Sequence, residues 1–388
     1  MLTSRPIYFL DGKIFYKYYQ TSNRSTQIST IDPGPTPAGV TPTVLNNADR
    51  LFDYSTVKYG AQLGFKLPMS FYAIAGYTGS DTSRKNPEIP FYHDDLYKLE
   101  IRWSGVDWMV VRGGFERLNR TADFHAVTVT SASDPALIEN YIRRFDAASK
   151  DSNTWKASVD FFPIPDMTLS VGYRWKDTTY PDTILGLQSF KSNEWHVDGD
   201  YLIAKRVRLF AYFDYEYVKL DQQQRTFTSG LTANPALSPT PTDFNWTATQ
   251  TTHNYAYGVG SDIYAIPKKL TFQVQYNYVK SQGFADYTFL LGPNPIPPTR
   301  NQDNIDIANF DNYTLNYFLA KATYRPVKPF SLSFGYAYER YKYDDAQYNG
   351  YQYVPLSATG GLLGFLTGAY ANPNYRANIY FVTASYLF

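Results

Sequence analysis

Cysteine is absent from all 388 residues of the chain. The chain therefore forms no disulfide, binds no zinc through sulfur and carries no Cys-x-x-Cys-His motif for covalent haem attachment. It also lacks any run of eighteen apolar residues, which excludes a membrane-spanning helix. The net charge is only +1, from 36 basic and 35 acidic residues, so we expect no binding to nucleic acid.

Aromatic residues are abundant where charge is scarce. Phe, Tyr and Trp make up 18% of the residues, and charged residues also make up 18%, whereas soluble domains average about 25% charged. The mean hydropathy is nevertheless polar, at −0.39. A chain that is aromatic, polar on average and free of apolar helices fits strands that present one face to lipid and the other to water.

Apolar and polar residues alternate with period two along several runs. In residues 270–278 the even positions are apolar or aromatic and the odd positions are polar, and the same alternation appears in 57–67, 167–176 and 207–217. A helix would repeat every 3.6 residues, so the pattern predicts strands. Each run has nine to eleven residues, the length that a tilted strand needs to cross a bilayer.

The last twelve residues, 377–388, alternate in the same way and end on an aromatic residue, Phe388. Transmembrane β-barrels commonly place aromatic side chains at the membrane interface and close the last strand against the first. We therefore expect the final strand to complete a barrel by pairing with the first one.

Short turns and long loops alternate between the runs. The sequence predicts a single domain, 1–388, folded as an all-β transmembrane antiparallel up-and-down β-barrel of about 14 strands, with short periplasmic turns and long extracellular loops. An even strand number places both ends on the short-turn side. The predicted strands are 13–21, 54–67, 70–83, 95–104, 107–119, 152–162, 166–177, 193–204, 206–220, 252–265, 270–280, 312–324, 330–343 and 376–388.

The side chains predicted to face inward carry both signs of charge. Such a wall suits either a general pore or a polar contact with another protein, whereas a ring of one sign would indicate ion selectivity. Two inward aromatics, Phe210 and Tyr212, could pack against a partner or fill space beneath an inward-folded loop. The charged positions are Lys98, Glu100, Arg102, Arg174, Lys176, Asp198, Asp200, Arg208, Asp214 and Glu216.

Three segments in succession carry a family resemblance. They are an Arg-Arg-Phe-Asp loop in 141–155, a Tyr-Pro-Asp…Gly-Leu-Gln loop in 173–188 and a Gln-rich strand end with Arg225 in 215–225. Together with the opening Tyr-Lys-Tyr-Tyr at 16–19 and Asn-Trp-Thr-Ala at 245–248, this succession resembles the MtrB/PioB family of decahaem-associated outer-membrane proteins.

The resemblance implies a barrel in the outer membrane of a Gram-negative bacterium that sheathes a multihaem c-type cytochrome. The barrel would keep the haems away from lipid while electrons cross the membrane. All haem would belong to the partner, with no cofactor in this chain, so we expect a scaffold and not an enzyme. Family members are longer and have more strands, which implies that this chain is the C-terminal part of a larger barrel.

The sharpest local signal is Arg143, Arg144 and Asp146. These residues would touch the cytochrome or cap the barrel mouth; alternatively, an internal Arg–Asp pair would order the loop. With Arg174, Phe210 and Tyr212 they form the predicted partner contacts, and no catalytic, cofactor-binding or metal-binding residue is predicted. The alternative functions are a general porin or solute channel with an open aqueous lumen, and a surface β-protein used in adhesion.

Overall fold

The computed structural model describes residues 1–22, 29–32, 45–48, 53–85, 89–125, 141–226, 244–290, 304–346 and 374–387. The regular elements in these ranges are β-strands, and none of the described residues forms a helix long and apolar enough to span a membrane. The strands are β1 (Leu2–Ile7), β2 (Leu10–Thr21), β3 (Ser29–Asp32), β4 (Leu45–Ala48), β5 (Tyr54–Leu67), β6 (Phe71–Arg84), β7 (Phe91–Val106), β8 (Met109–Asp123), β9 (Ile142–Arg143), β10 (Lys150–Phe161), β11 (Met167–Thr179), β12 (Leu185–Ile203), β13 (Val207–Thr226), β14 (Phe244–Ile266), β15 (Leu270–Leu290), β16 (Asn304–Ile307), β17 (Asn312–Val327), β18 (Phe330–Asp344) and β19 (Tyr375–Tyr386).

The long strands form one antiparallel meander. The order across the sheet is β1-β2-β5-β6-β7-β8-β10-β11-β12-β13-β14-β15-β17-β18-β19. Two short strands attach to this wall: β9 lies parallel to β12, and β16 lies antiparallel to β15. The up-and-down order and the predicted hairpins are therefore confirmed.

The first hairpin was missed by the strand prediction. β1 turns at Tyr8 and pairs along the beginning of β2, with Leu2 opposite Ile14. The wall thus has fifteen main strands where about fourteen were predicted, and the first residues do not lie at the short-turn side. The segment escaped prediction because Pro6 and three polar neighbours interrupt the alternation, and proline is tolerated mainly in an edge strand.

The wall has two open edges. Within the described residues β1 pairs only with β2, and β19 pairs only with β18, so the expected pairing of the last strand with the first is not formed. The strand directions explain this difference. β1 and β19 both run from the loop side toward the short-turn side, and direct pairing would therefore be parallel, whereas the long strands of the wall all pair antiparallel.

Several strands extend further toward the loops than predicted. β12 begins at Leu185, whereas the prediction began this strand at 193, and β13, β14 and β15 contain 20, 23 and 21 residues. The lengths of these strands exceed the nine to eleven residues that a strand needs to cross a bilayer. The extensions were missed because no lipid contacts the strands beyond the belt, so the apolar alternation of a lipid-facing strand need not continue there.

One face of the wall carries a belt of apolar side chains. On the loop side the belt ends in aromatic pairs whose ring centroids lie close together: Tyr77–Tyr97 at 5.4 Å, Phe115–Trp155 at 4.5 Å and Tyr173–Trp195 at 4.4 Å. Further toward the loops the same face becomes polar, at Asp81, Asp95, Asn119, Asp151 and Asp177. An apolar band bounded by aromatic side chains is the lipid-facing surface of a membrane barrel.

Candidate functional site on the inner wall

The face opposite the belt, called the inner wall here, is polar and its charges are paired across strands. Arg112 contacts Asp160 at 2.5 Å and Lys156 contacts Glu116 at 2.9 Å. Arg112 lies directly opposite Ser158 in the strand register, and Asp160 is two residues further along the same strand. Residues of opposite charge at such diagonal positions on adjacent strands are close enough to form ion pairs. Mixed signs were predicted for this face, and in the structure several of these charges pair with an opposite charge nearby.

Residues 141–149, called the cap segment here, lie against the loop-side end of the inner wall. The segment begins with β9, which pairs in parallel with the first residues of β12. Ala147 and Ala148 are almost fully buried, at 1% and 3% exposure, and the Ser149 hydroxyl accepts a hydrogen bond from the Ala122 backbone N–H at 3.1 Å. The cap segment is therefore packed onto the wall and does not project away from it.

Arg120 fastens the cap segment to the wall. Its guanidinium donates two hydrogen bonds to the Asp94 carboxylate, at 2.6 and 2.9 Å, and a third to the backbone carbonyl of Asp146 at 2.6 Å. The same group lies 4.0 Å from the centre of the Tyr92 ring. The Arg120 side chain is 9% exposed and that of Asp94 is 17% exposed, so this fork-shaped ion pair is shielded from water.

The three predicted loop residues lie in this segment. The Asp146 carboxylate accepts hydrogen bonds from Arg144 at 3.3 Å and from Arg84 of β6 at 3.2 Å, which is the internal Arg–Asp pair considered as an alternative. The Arg143 guanidinium lies 3.2 Å from the centre of the Phe124 ring, and burial lowers its pKa. Contact of these residues with a partner stays a prediction.

Lys150 adds a perturbed charge beside the cap segment. It is the first residue of β10 and lies on the loop side of the aromatic belt, outside the membrane-spanning part of the wall. Burial, with the positive charge of Arg120 as the next contribution, lowers the pKa of its ammonium to about 8. Burial therefore disfavours the charged form of Lys150 at the loop-side end of the inner wall.

Arg174 lies on the inner wall of β11, directly opposite Glu194 of β12. The two side chains form a close ion pair, and each stays partly accessible, at 47% and 33% exposure. No contact of Arg174 with the cap segment occurs among the described residues. Its environment is that of an ordinary cross-strand pair on an open wall.

Phe210 and Tyr212 lie flat against the wall above glycines. Their register partners on β14 are Gly260 and Gly258, and a methyl group added to Gly260 would come within 2.2 Å of the Phe210 ring. The Tyr212 hydroxyl donates to the Asn277 side-chain oxygen at 3.0 Å. Both rings thus fill the space that the glycines leave on the neighbouring strand. This arrangement differs from the two that were predicted, namely packing against a partner and filling space beneath an inward-folded loop.

The six predicted contact residues therefore fall into two places. Arg143, Arg144 and Asp146 lie together in the cap segment, whereas the contacts of Arg174, Phe210 and Tyr212 among the described residues are with neighbouring strands. Sequence reasoning missed Arg120, Asp94 and Lys150. Alternation alone would place the first two inward, but only the strand register shows that they face each other.

A meander of long antiparallel strands with a lipid-facing belt and a polar inner wall defines a β-barrel protein of the outer membrane. The family described as "Putative outer membrane beta-barrel porin, MtrB/PioB" matches residues 2–388. The chain therefore belongs to the MtrB/PioB family and is located in the outer membrane.

Individual relatives match less of the chain. It is 25% identical over 114 residues to the outer membrane protein MtrB of Shewanella baltica (strain OS185), which covers 29% of this chain and 16% of that protein. Among solved structures it is similar to the ferric citrate transporter FecA in its unliganded form, with a TM-score of 0.44, 9% identity and coverage of 97% of this chain and 55% of that one. It is also similar to the FrpB iron transporter of Neisseria meningitidis (F3-3 variant), with a TM-score of 0.39, 9% identity and coverage of 89% of this chain and 60% of that one.

Proposed function

We propose that this chain forms part of the barrel wall that sheathes a multihaem c-type cytochrome and so supports electron transfer across the outer membrane. In this role the chain carries no redox group of its own, and the haem belongs to the partner. The barrel excludes lipid from the partner and fixes its position. The bilayer contacts the belt, and the cytochrome contacts the inner wall.

Beyond family membership, the proposal is supported by the arrangement of charged and aromatic side chains on the inner wall. From β7 to β14, several of its charges form local pairs of opposite sign, such as Arg112 with Asp160 and Arg174 with Glu194. Its aromatic rings lie flat over glycines, as Phe210 does over Gly260. A smooth, polar wall without a ring of one charge suits a broad contact with another protein better than selection of a small ion.

A general porin or solute channel is the second candidate, and one feature favours it. Four inner-wall lysines of β2 and β5 contact aromatic rings, and in the described part of the chain none of them forms an ion pair with a carboxylate. An open lumen lined on one side by such lysines would attract small anions. The residues are Lys13, Lys17, Lys58 and Lys66.

The two candidates are separated by the contents of the lumen. The native outer membrane is solubilised in a mild detergent, the barrel protein is purified by an affinity tag, and the co-purified bands are stained for haem. We expect a haem-positive protein in fixed ratio to the barrel. The mass of the barrel protein, measured on the same sample, gives the length of the chain that holds it.

A second preparation is reconstituted into planar bilayers. A haem-free barrel that conducts ions steadily would overturn the sheath and establish the porin. A matched variant, with Lys13, Lys17, Lys58 and Lys66 all changed to Gln, should then lose anion preference, whereas it should leave haem co-purification intact if the sheath is correct.

A further inference from the structure

The short turns differ in charge around the wall. Three of them carry five cations: 204–206, 267–269 and 328–329. The other described turns between long neighbouring strands, 68–70, 107–108 and 163–166, contain no Lys or Arg and include Asp107 and Asp166. The five cations, called the basic rim here, are Lys205, Arg206, Lys268, Lys269 and Lys328.

The basic rim is continuous because its three turns are neighbours in the sheet. The turns join β12 to β13, β14 to β15 and β17 to β18, and these hairpins lie side by side. Backbone hydrogen bonds link each turn to the next strand end: Tyr264 N–H donates to the Arg206 carbonyl, and Arg325 N–H donates to the Lys269 carbonyl, both at 2.7 Å.

The charges of the rim are exposed and lack a carboxylate partner. All five residues are solvent-exposed, and within the described residues none of them takes part in an ion pair. Asp200 and Asp262 on the adjoining strands are already bound to Arg208. Asp166, whose backbone carbonyl accepts a hydrogen bond from Leu202 N–H beside the rim, forms no ion pair with a rim residue among the described residues. The rim therefore presents an uncompensated positive field toward the short-turn side.

Turn geometry does not require these lysines. Lys205 and Lys268 have φ values of 57° and 66°, in the left-handed region where glycine and asparagine are favoured. Turn 68–70, which lies outside the basic rim, reaches the same region with Met69 and Ser70, at 60° and 62°. Because Met and Ser serve in the same conformation, the backbone does not explain why one half of the edge is basic.

Lipid headgroups do not explain the asymmetry either. Anionic phospholipids surround a barrel on all sides, so attraction to them would favour cations in every short turn. A protein that approaches from one direction would need cations only on the side it meets, and long-range attraction between opposite charges speeds and orients such an encounter.

We propose that the basic rim is a docking surface for an acidic face of a protein on the short-turn, periplasmic side of the membrane. The inference does not depend on the cytochrome sheath, because the rim lies outside the lumen. It holds equally for an open channel, and its test uses no haem.

The test measures binding of a fluorescein-labelled decaglutamate peptide to the full chain in nanodiscs of phosphatidylcholine. The rim variant changes Lys205, Arg206, Lys268, Lys269 and Lys328 to Gln. The control variant removes five cations from the loop-side half of the belt-bearing face by changing Lys191, Lys219, Lys280, Arg340 and Arg376 to Gln. A third variant replaces the four rim lysines by Arg.

We expect the rim variant to bind the peptide about tenfold more weakly than the wild type at low salt, with the difference shrinking as salt screens the charges. The control and the Lys→Arg variant should bind like the wild type. Equal binding by the rim variant, or an equal loss in the control, would overturn the proposal.

Discussion

The inner wall beneath the cap segment and the inner wall around Phe210 are stabilised by different kinds of contact. Under the cap segment, polar groups are buried and bonded to one another: the Arg120 side chain is 9% exposed and donates hydrogen bonds to Asp94 and to the Asp146 backbone carbonyl. Around Phe210, with no such cover in the described residues, the wall fills its own gaps by laying rings over glycines.

The difference shows where stability comes from in a wall that has no central apolar core. A covering segment can bury ions and hydroxyls only if each finds a partner, because an unpaired buried polar group is costly. A bare wall keeps its charges in water and gains stability from contacts between neighbouring strands. The stability of the covered wall therefore depends on a few specific residues, whereas the stability of the bare wall comes from contacts between many residues.

The largest effect should follow from Arg120→Ala. The change leaves the Asp94 carboxylate shielded from water without its partner and removes the bond to the cap segment, so we expect a loss of about 3 kcal/mol in the free energy of unfolding. Equilibrium unfolding in urea, with the protein in lipid vesicles, measures it. Arg112→Ala is the matched control on an exposed pair and should cost less than about 1 kcal/mol. Equal losses would erase the distinction between covered and bare wall.

A moderate effect is expected from Gly260→Ala on the bare wall. The new methyl group would meet the Phe210 ring at 2.2 Å, so the ring must swing away and lose its packing, at a cost of about 1–2 kcal/mol. Gly76→Ala is the control, since its nearest atoms are 3.7 Å away. If both variants unfold at the same urea concentration, the flat ring contributes nothing to the wall.

A pH-dependent effect is expected at Lys150. Its pKa is about 8 in the folded protein and about 10.4 when unfolded, so the unfolded chain binds more protons between these values. The contribution of Lys150 to stability therefore rises as pH increases from 8 to about 10.4, and it is unfavourable below pH 8. Comparison with Lys150→Gln across this range isolates the effect, and parallel stability curves for the two proteins would contradict it.

The smallest effect should come from Arg5→Gln at the open edge. Arg5 contacts Asp11 at 2.5 Å, but the pair is exposed, and exposed pairs contribute little. We expect no measurable change in the urea midpoint. A clear loss of stability would instead mean that another strand covers β1 in the membrane. The Arg5–Asp11 pair would then be shielded from water, as the ion pairs under the cap segment are.

Much of this architecture could be predicted from alternation and turn spacing. The runs 57–67, 167–176 and 207–217 all lie in strands with the predicted neighbours. β1 escaped because it has no alternation around Pro6, and the loop-side extension of β12 escaped because strands beyond the lipid-facing belt need no apolar alternation. For the candidate site, Arg143, Arg144 and Asp146 were identified as a unit, but their anchor Arg120 was not.

The sequence by itself determined that this chain is a meander of membrane strands, because a two-residue period and the contrast of short turns with long loops are local properties. The tertiary structure decided which charges meet, how the cap segment folds onto the wall and that, within the described residues, β1 and β19 do not pair with each other. These features depend on strand register and direction, which join residues far apart in the chain. Arg120 and Asp94, for example, are placed opposite each other only when β7 and β8 align.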